Sequence, residues 1–155
     1  DVMLQKCTEL GVDECQPIIT ARTIVARASL TPARCARWQR ICDDAARQCG
    51  GPPMRVAAPL PFAQAMALDR QSRLIADRMG CRLHECLART AEDAAPLAAA
   101  IAIGPEGGFT PSELATAQAA GWRTVHLHER VLRAETAAIT AAAAIHTLLQ
   151  NYRAS

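Results

Sequence analysis

Lysine and aromatic side chains are scarce in this chain of 155 residues. Lys6 is the only lysine, so arginine supplies nearly all of the positive charge, and the aromatic residues are two Trp, two Phe and one Tyr. So few rings exclude a broad stacking platform for single-stranded nucleic acid. The formal net charge of +2 is too small to indicate nucleic-acid binding by itself. Arginine suits phosphate and base contacts, but an Ala- and Arg-rich composition can equally reflect codon bias.

The cysteines lack the spacing of a metal site. Their number, seven, is odd, and no Cys-x-x-Cys occurs, which excludes the common zinc motifs, so no metal is expected. Cys35, Cys42 and Cys49 would lie along one face of a predicted helix, and we interpret them as small buried hydrophobes. Cysteines used in this way are typical of a reducing compartment, which predicts a cytoplasmic protein.

The chain also lacks an apolar run long enough to span a membrane and a signal peptide at its start. No membrane partner is therefore expected. Half of the residues are apolar (50%), which is enough for a hydrophobic core, and the length predicts a single domain, residues 1–155. Because the chain starts abruptly at Asp1 without an initiator Met, we expect that a segment upstream has been removed.

The strongest local signals lie in Ile101–Glu113. An apolar run there predicts a buried strand, and the glycine-rich segment Gly104–Gly108 follows it. Thr110 and Glu113 then have the spacing of a capping box at the start of a helix. Glycines let the backbone approach a ligand closely, and a helix start presents free N–H groups. The pattern favours a nucleotide-like ligand, although a tight turn that binds nothing has the same sequence.

Strands and helices are predicted to alternate along the chain. Helices are predicted at residues 1–10, 32–49, 63–68, 111–121 and 134–152. Extended segments are predicted at residues 12–20, 54–56, 72–77, 81–87, 97–103 and 123–127. This order predicts an α/β fold with a mostly parallel sheet flanked by helices. Since such sheets bind ligands at the carboxyl ends of their strands, the loops after Leu83, Ile103 and Leu127 are the candidate site.

Polar side chains lie near the ends of two other predicted strands. Arg22 follows the first strand and could contact phosphate, but an ordinary solvated arginine is the more common explanation of such a residue. His84 and Glu85 could line a site, but such neighbours are more often a polar pair on the surface.

Two loop segments stand out as a pair: Ile103-Gly-Pro-Glu-Gly-Gly-Phe109 and Leu127-His-Glu-Arg-Val-Leu-Arg-Ala-Glu-Thr-Ala137. As a pair they resemble the signature of the ribosomal RNA small subunit methyltransferase E family. Upstream, Gln5–Val12, Pro17 and Ala46–Gly50 also look like segments of that family. The resemblance therefore covers most of the chain in order.

The resemblance implies a SPOUT-type enzyme that uses S-adenosylmethionine to methylate N3 of a uridine in 16S ribosomal RNA. It implies a deep trefoil knot at the C-terminus, in which the cofactor binds, and a homodimer that acts on 16S ribosomal RNA or the small ribosomal subunit. The family's N-terminal PUA-like RNA-binding barrel is absent from residues 1–155, which agrees with the abrupt start.

The resemblance also implies roles for individual residues. The implied cofactor-binding residues are Leu83, His84, Ile103, Gly104, Pro105, Glu106, Gly107, Gly108, Leu127, His128, Val131, Leu132 and Thr136. Arg133 and Glu135 match an arginine and a glutamate of the family and are the candidate catalytic residues. Arg22 and Arg133 are the candidate RNA contacts.

The chain departs from the family pattern at several positions. His128 and Glu129 stand where the family usually has Gly-Pro, and Ala134 stands where it has Thr. Arg47 and Gly51 replace the glutamate and arginine that flank another family segment. The first change could crowd the cofactor pocket if those side chains point inward. The last puts in doubt an RNA or dimer contact from that segment.

The implied chemistry assigns a role to Arg133. Methyl transfer from a sulfonium needs the nucleophile close to the methyl carbon and in line with it. As uridine N3 loses its proton, negative charge spreads to O2 and O4, and a fixed arginine beside them would stabilise it. The structural alternative for Arg133 is a salt bridge with Glu135 or Glu106. The sequence does not identify the general base: Glu106 or Glu135 could serve, but either glutamate could instead order a loop.

Three other functions stay open. The first is another SPOUT methyltransferase that acts on a different RNA position or on a ribose hydroxyl. The second is a non-catalytic RNA-binding or ribosome-assembly protein with the same fold. A nucleotide-phosphate-binding protein fits least well, because the glycine loop lacks a following Lys-Ser/Thr and does not match Gly-x-Gly-x-x-Gly.

Overall fold

The computed structural model describes residues 1–23, 30–69, 72–88 and 98–154. The helices in these residues are α1 Val2–Glu9, α2 Pro32–Cys49, α3 Phe62–Met66, α4 Leu83–Ala88, α5 Pro111–Ala119 and α6 Ala134–Ala154. The strands are β1 Glu14–Cys15, β2 Ile18–Ile19, β3 Arg55–Val56, β4 Leu60–Pro61, β5 Ser72–Arg82, β6 Ala99–Ala102 and β7 Arg123–His126.

Every strand pair in these residues is parallel. Strand β1 pairs with β3 and β2 pairs with β4, while β5 lies between β6 and β7 in a sheet of three strands. Parallel neighbours need crossover connections, and helices supply them here. The predicted α/β fold with parallel strands flanked by helices is confirmed.

The central strand β5 leaves the sheet and returns to it. Ala76 and Cys81 both pair with Val125 of β7, so the residues between them, Asp77–Gly80, form an excursion at the edge of the sheet. Gly80 lies against the neighbouring backbone, because a Cβ atom at this position would be 2.5 Å from the backbone N and C of Val125. Only glycine fits this close approach.

The two faces of the three-stranded sheet are covered by different helices. One buried cluster joins β5 to α3 and α5 and contains Phe62, Ala65, Met66, Ile75, Ala102, Phe109, Ala117 and Trp122. The other joins β5 and β7 to α4 and α6 and contains Leu74, Leu83, Cys86, Leu87, Val125 and Ile145. Burial on both faces explains why Leu74, Ile75 and Ala76 of β5 form an apolar run instead of an alternating pattern.

The predicted strand at residues 81–87 is wrong from Leu83 onward. Strand β5 ends at Arg82, and the next residue, Leu83, begins α4. Leu83, Cys86 and Leu87 all face the buried cluster beneath α4. Their spacing is that of one helix face, and the competing alternation of apolar and polar residues is too short to exclude it. The loop expected after Leu83 is therefore the first turn of a helix.

The expectation that Cys35, Cys42 and Cys49 are all buried is also wrong. Cys42 is fully buried, Cys35 is half-buried, and Cys49 is exposed at the end of α2. The sulfur atoms of Cys81 and Cys86 lie at bonding distance, and their Cα atoms are 6.5 Å apart, a pairing that the sequence analysis did not foresee. Among the described residues, no helix is long and apolar enough to cross a membrane.

Candidate functional site

Three chain segments meet at the carboxyl edge of the β6-β5-β7 sheet. Because the strands are parallel, the ends of β6, β5 and β7 lie at the same edge, where open α/β sheets bind their ligands. The glycine loop Gly104–Gly108 lies beyond the end of β6, and the segment from Leu127 to Arg133, called the second loop here, follows β7. The excursion Asp77–Gly80 of β5 lies at this edge between them.

The glycine loop is a tight turn with an accessible backbone. Gly108 donates its N–H to the carbonyl oxygen of Pro105 at 2.8 Å and has a φ of 65°, which favours glycine. A Cβ at Gly104 would lie 3.3 Å from the Phe109 ring, so this glycine is in close contact with the buried ring. Glu106 and Gly107 are exposed. Glu106 is thus the only long side chain that the loop itself carries, although the Arg22 side chain of another segment lies against Gly107.

The start of α5 confirms the predicted capping box. The Thr110 hydroxyl accepts a hydrogen bond from Glu113 N at 3.2 Å, and Glu113 Oε2 accepts one from Thr110 N at 2.8 Å. This pair of bonds fixes the direction in which α5 leaves the glycine loop. The positive end of the helix therefore directly follows the glycine loop, with its first turn fixed by the capping box.

Glu113 also reaches a distant part of the chain. Its Oε1 accepts a hydrogen bond from Ala21 N at 2.8 Å, so both carboxylate oxygens are engaged. Burial acts to raise the pKa of Glu113, but hydrogen bonds from Thr110 and Ala21 and the positive charge of Arg22 outweigh it, and the pKa lies below its ordinary value. The residue is therefore a buried anion that joins the segment 20–23 to α5.

Arg22, a candidate RNA contact, reaches the glycine loop. Its Nη1 donates a hydrogen bond to the carbonyl oxygen of Gly107 at 2.5 Å and a longer one to that of Phe109 at 3.5 Å. Its side-chain stem crosses Gly107, since a Cβ on that glycine would lie 3.1 Å from Arg22 Cδ. The residue is exposed, so its contact with RNA stays a prediction.

The second loop carries two of the positions that depart from the pattern of the family that the sequence resembles, His128 and Glu129. His128 and Glu129 are exposed, and His128 Nδ1 accepts a hydrogen bond from Arg130 N at 3.0 Å. Val131 is 70% exposed and Leu132 is half-buried, so the second loop presents one apolar side chain to solvent.

Arg133 lies at the start of α6, where its carbonyl oxygen accepts a hydrogen bond from Ala137 N at 2.8 Å. Its side chain is exposed, as are Glu135 and Thr136. Across the described residues, Arg133 makes no ion pair with Glu135 or Glu106, the partners that would have given it a structural role. The charge of Arg133 is therefore available to a ligand.

A cavity of about 790 Å³ opens beside the second loop, between α4 and α6. Its lining residues are Arg82, Leu83, His84, His126, Leu127, His128, Glu129, Thr140, Ala143, Ala144, Thr147 and Leu148. It brings together four of the predicted cofactor residues, Leu83, His84, Leu127 and His128. The glycine loop, with half-buried Ile103 before it, is not part of this lining, and neither are Val131, Leu132 and Thr136.

Sequence reasoning missed two parts of this edge. One is the excursion Asp77–Gly80, in which Asp77 Oδ1 accepts a hydrogen bond from Met79 N at 3.0 Å and Met79 is 91% exposed. Its only sequence signal is Gly80, which was not recognised as a bend. The other is the α6 wall of the cavity, including Thr140 and Thr147, which faces the site only because of the tertiary packing. Among the described residues, no cluster could hold a metal ion.

Comparison with protein families gives a match over nearly the whole chain. The model of the RNA methyltransferase domain family matches residues 1–146. Ribosomal RNA small subunit methyltransferase E of Synechocystis is 36% identical over 161 residues, which cover 96% of this chain and 49% of that protein. The protein of the same name from Aquifex aeolicus is 26% identical, covering 98% of the chain and 62% of the protein. The chain thus spans only part of the length of these relatives.

Comparison with solved structures also finds methyltransferases. The ribosomal RNA small subunit methyltransferase E of Neisseria gonorrhoeae, bound to S-adenosyl methionine, superposes with a TM-score of 0.80 at 34% identity, over 95% of this chain and 60% of that one. A Legionella pneumophila structure in complex with the bound cofactor SAM has a TM-score of 0.78 at 29% identity, over 97% and 60%. The resemblance inferred from the two loop segments is confirmed.

Proposed function

The chain belongs to the RNA methyltransferase domain family, and we propose that it is the catalytic domain of a methyltransferase that uses S-adenosylmethionine to methylate N3 of a uridine in 16S ribosomal RNA. The observation that carries the proposal is that the glycine loop, the β5 excursion and the second loop all lie at the carboxyl edge of one parallel sheet. The relatives named ribosomal RNA small subunit methyltransferase E support the choice of substrate.

The residues at this edge suit S-adenosylmethionine. The cofactor combines an apolar adenine, a ribose and a charged amino acid, so it needs apolar surface together with backbone hydrogen-bonding groups. Gly104 and Gly107 carry no side chain and Gly107 is exposed, so the glycine loop offers backbone groups, whereas Leu127 and Val131 offer apolar surface on the second loop. Besides these residues, the proposed cofactor set keeps Leu83, His84, Ile103, Pro105, Glu106, Gly108, His128, Leu132 and Thr136. When bound, the cofactor would supply the methyl group on a positively charged sulfur.

The protein's part in the reaction is positioning and charge stabilisation. Uridine N3 must lose a proton, and we assign Arg133 to the negative charge that then develops on O2 and O4. Its exposed side chain, without an acidic partner among the described residues, supports this role and its contact with RNA. Glu135, at the same end of α6, and Glu106, on the glycine loop, are the candidates for the proton acceptor.

The remaining features of the proposal follow the family resemblance. We propose that the chain forms a deep C-terminal trefoil knot and a homodimer. We also propose that it acts in the cytoplasm on 16S ribosomal RNA or the small ribosomal subunit. The departures at His128 and Glu129 could affect cofactor binding, because both residues line the cavity beside the second loop. A site closed by these side chains would leave a non-catalytic RNA-binding protein, and this is the second candidate function.

Calorimetric titration of the 155-residue chain with S-adenosylmethionine tests the proposal. We expect binding at micromolar strength with about one cofactor per chain. A folded sample that does not bind would contradict the enzyme proposal and favour the non-catalytic candidate. Where binding is found, nucleoside analysis of methylated 16S ribosomal RNA separates uridine N3 from another base position or a ribose hydroxyl.

A further inference from the structure

Two side chains connect the segment 20–23 to the glycine loop and to the helix that follows it. Glu113 extends from α5 to the backbone N–H of Ala21, and Arg22 extends back to the carbonyl oxygen of Gly107. We propose that Arg22 and Glu113 form a clamp that holds the glycine loop in the shape required for the cofactor, and that both are positioning residues. The inference that this shape serves S-adenosylmethionine rests on the proposed function.

The Glu113 half of the clamp is buried and fully engaged. The residue is 8% exposed, and its two oxygens accept from different segments, Oε1 from Ala21 N at 2.8 Å and Oε2 from Thr110 N at 2.8 Å. The Thr110 hydroxyl also lies 3.1 Å from Oε2. A neutral amide cannot replace this carboxylate, because its NH₂ group would face an N–H donor on one side or the other. The bridge therefore requires the anion.

The Arg22 half of the clamp acts on the loop itself. Its hydrogen bonds go to the carbonyl oxygens of Gly107 and Phe109, which lie on either side of Gly108. Gly108 has a positive φ, and its own N–H closes the turn on Pro105. Arg22 thus fixes the orientation of two peptide groups around Gly108, the residue of the loop that has a positive φ.

The two halves depend on each other. Glu113 holds Ala21, the residue immediately before Arg22, and so fixes the point from which the arginine side chain starts. The positive charge of Arg22 in turn helps to keep Glu113 ionised. A loop that contains three glycines has many alternative conformations, and restricting them before the cofactor arrives reduces the entropic cost of binding. Loss of either side chain should therefore weaken cofactor binding, even though neither side chain has to contact the cofactor.

This role differs from an RNA contact in what it predicts. If Arg22 only contacts RNA, its removal raises the KM for RNA and leaves the loop conformation and the affinity for the cofactor unchanged. If Arg22 belongs to the clamp, its removal loosens the loop and lowers the affinity for S-adenosylmethionine, even when no RNA is present. A lysine keeps the charge and one donor but cannot reproduce the planar guanidinium, so it should restore only part of the effect.

The test compares Arg22→Ala, Arg22→Lys and Glu113→Gln with two controls, Arg40→Ala and Ser112→Ala. Both control residues are exposed, Arg40 on α2 and Ser112 beside Glu113 in the first turn of α5. The first readout is amide hydrogen exchange of Gly104 and of residues 106–109 without cofactor, and the second is the Kd for S-adenosylmethionine. Thermal unfolding of each variant shows that it is folded at the temperature used.

We expect faster exchange at the loop amides and at least about tenfold weaker cofactor binding for Arg22→Ala and Glu113→Gln, because each loses a hydrogen bond to a charged group. Arg22→Lys should lie between Arg22→Ala and the wild type, and the controls should match the wild type. Unchanged loop exchange in both clamp variants overturns the proposal. A wild-type chain that does not bind the cofactor would contradict the proposed function, while the exchange measurement still decides whether the clamp exists.

Discussion

The indole N–H of Trp122 donates a hydrogen bond to the backbone oxygen of Met66 at 2.9 Å, and both residues are buried. Met66 ends α3 and Trp122 immediately precedes β7, so this bond joins two segments on the same face of the sheet. In the same cluster, the Phe62 and Phe109 rings lie 5.5 Å apart at a tilt of 51°. The glycine loop is directly followed by Phe109 and therefore lies beside a well-packed part of the hydrophobic core.

Replacing Trp122 with Phe should lower the free energy of unfolding by about 2–4 kcal/mol. The change leaves the buried Met66 carbonyl oxygen without its donor and removes part of a buried aromatic volume. Denaturant unfolding of the two proteins measures the difference. A change below about 0.5 kcal/mol would show that the hydrogen bond does not contribute to the free energy of unfolding or that the site relaxes around the smaller ring.

A methyl group on Gly80 should be among the most disruptive small changes in the chain. We expect Gly80→Ala to lower the free energy of unfolding by about 3 kcal/mol, at the upper end for overpacking, because the added Cβ meets backbone that cannot rotate away. Gly51→Ala is the matched control, since its Cβ would lie 3.7 Å from the nearest atom, the sulfur of Cys49. Equal unfolding midpoints for the two variants would contradict the tight fit of β5 on β7.

Arg133→Ala should separate catalysis from cofactor binding. We expect the Kd for S-adenosylmethionine to stay close to that of the wild type and single-turnover methyl transfer to fall about 100-fold or more, the effect of losing a group that stabilises developing charge. Arg130→Ala, in the same loop and also exposed, is the control and should retain transfer. Wild-type transfer by Arg133→Ala would remove this residue from the mechanism.

The buried carboxylate of Glu113 predicts a pH dependence of stability. Because its pKa is lower in the folded protein than in the unfolded chain, the residue contributes stability above the ordinary carboxyl pKa of about 4.3 and loses it as pH falls through the lower folded value. The difference in unfolding free energy between the wild type and Glu113→Gln should therefore be largest near neutral pH and shrink in acid. A difference that stays constant between about pH 7 and pH 3 would show that the charge of Glu113 is not stabilising.

Local patterns predicted the parts of the site that depend on local geometry. The spacing of Thr110 and Glu113 was sufficient to predict the capping box, since both partners lie within one helical turn. The helix at Leu83 was missed because a six-residue segment satisfies the strand and helix patterns almost equally. The bond from Ala21 to Glu113 could not be predicted, because it joins residues 92 positions apart and depends on the packing of the whole sheet.

The double pairing of Val125 has a consequence for how this fold can diversify. The chain leaves the ladder after Ala76 and rejoins it at Cys81 opposite the same residue, so the register on both sides is independent of what lies between. Residues can be inserted into or deleted from Asp77–Met79 without sliding any strand, provided that Gly80 keeps its contact with β7. Evolution or engineering can therefore reshape this part of the ligand edge while the sheet beneath it stays unchanged.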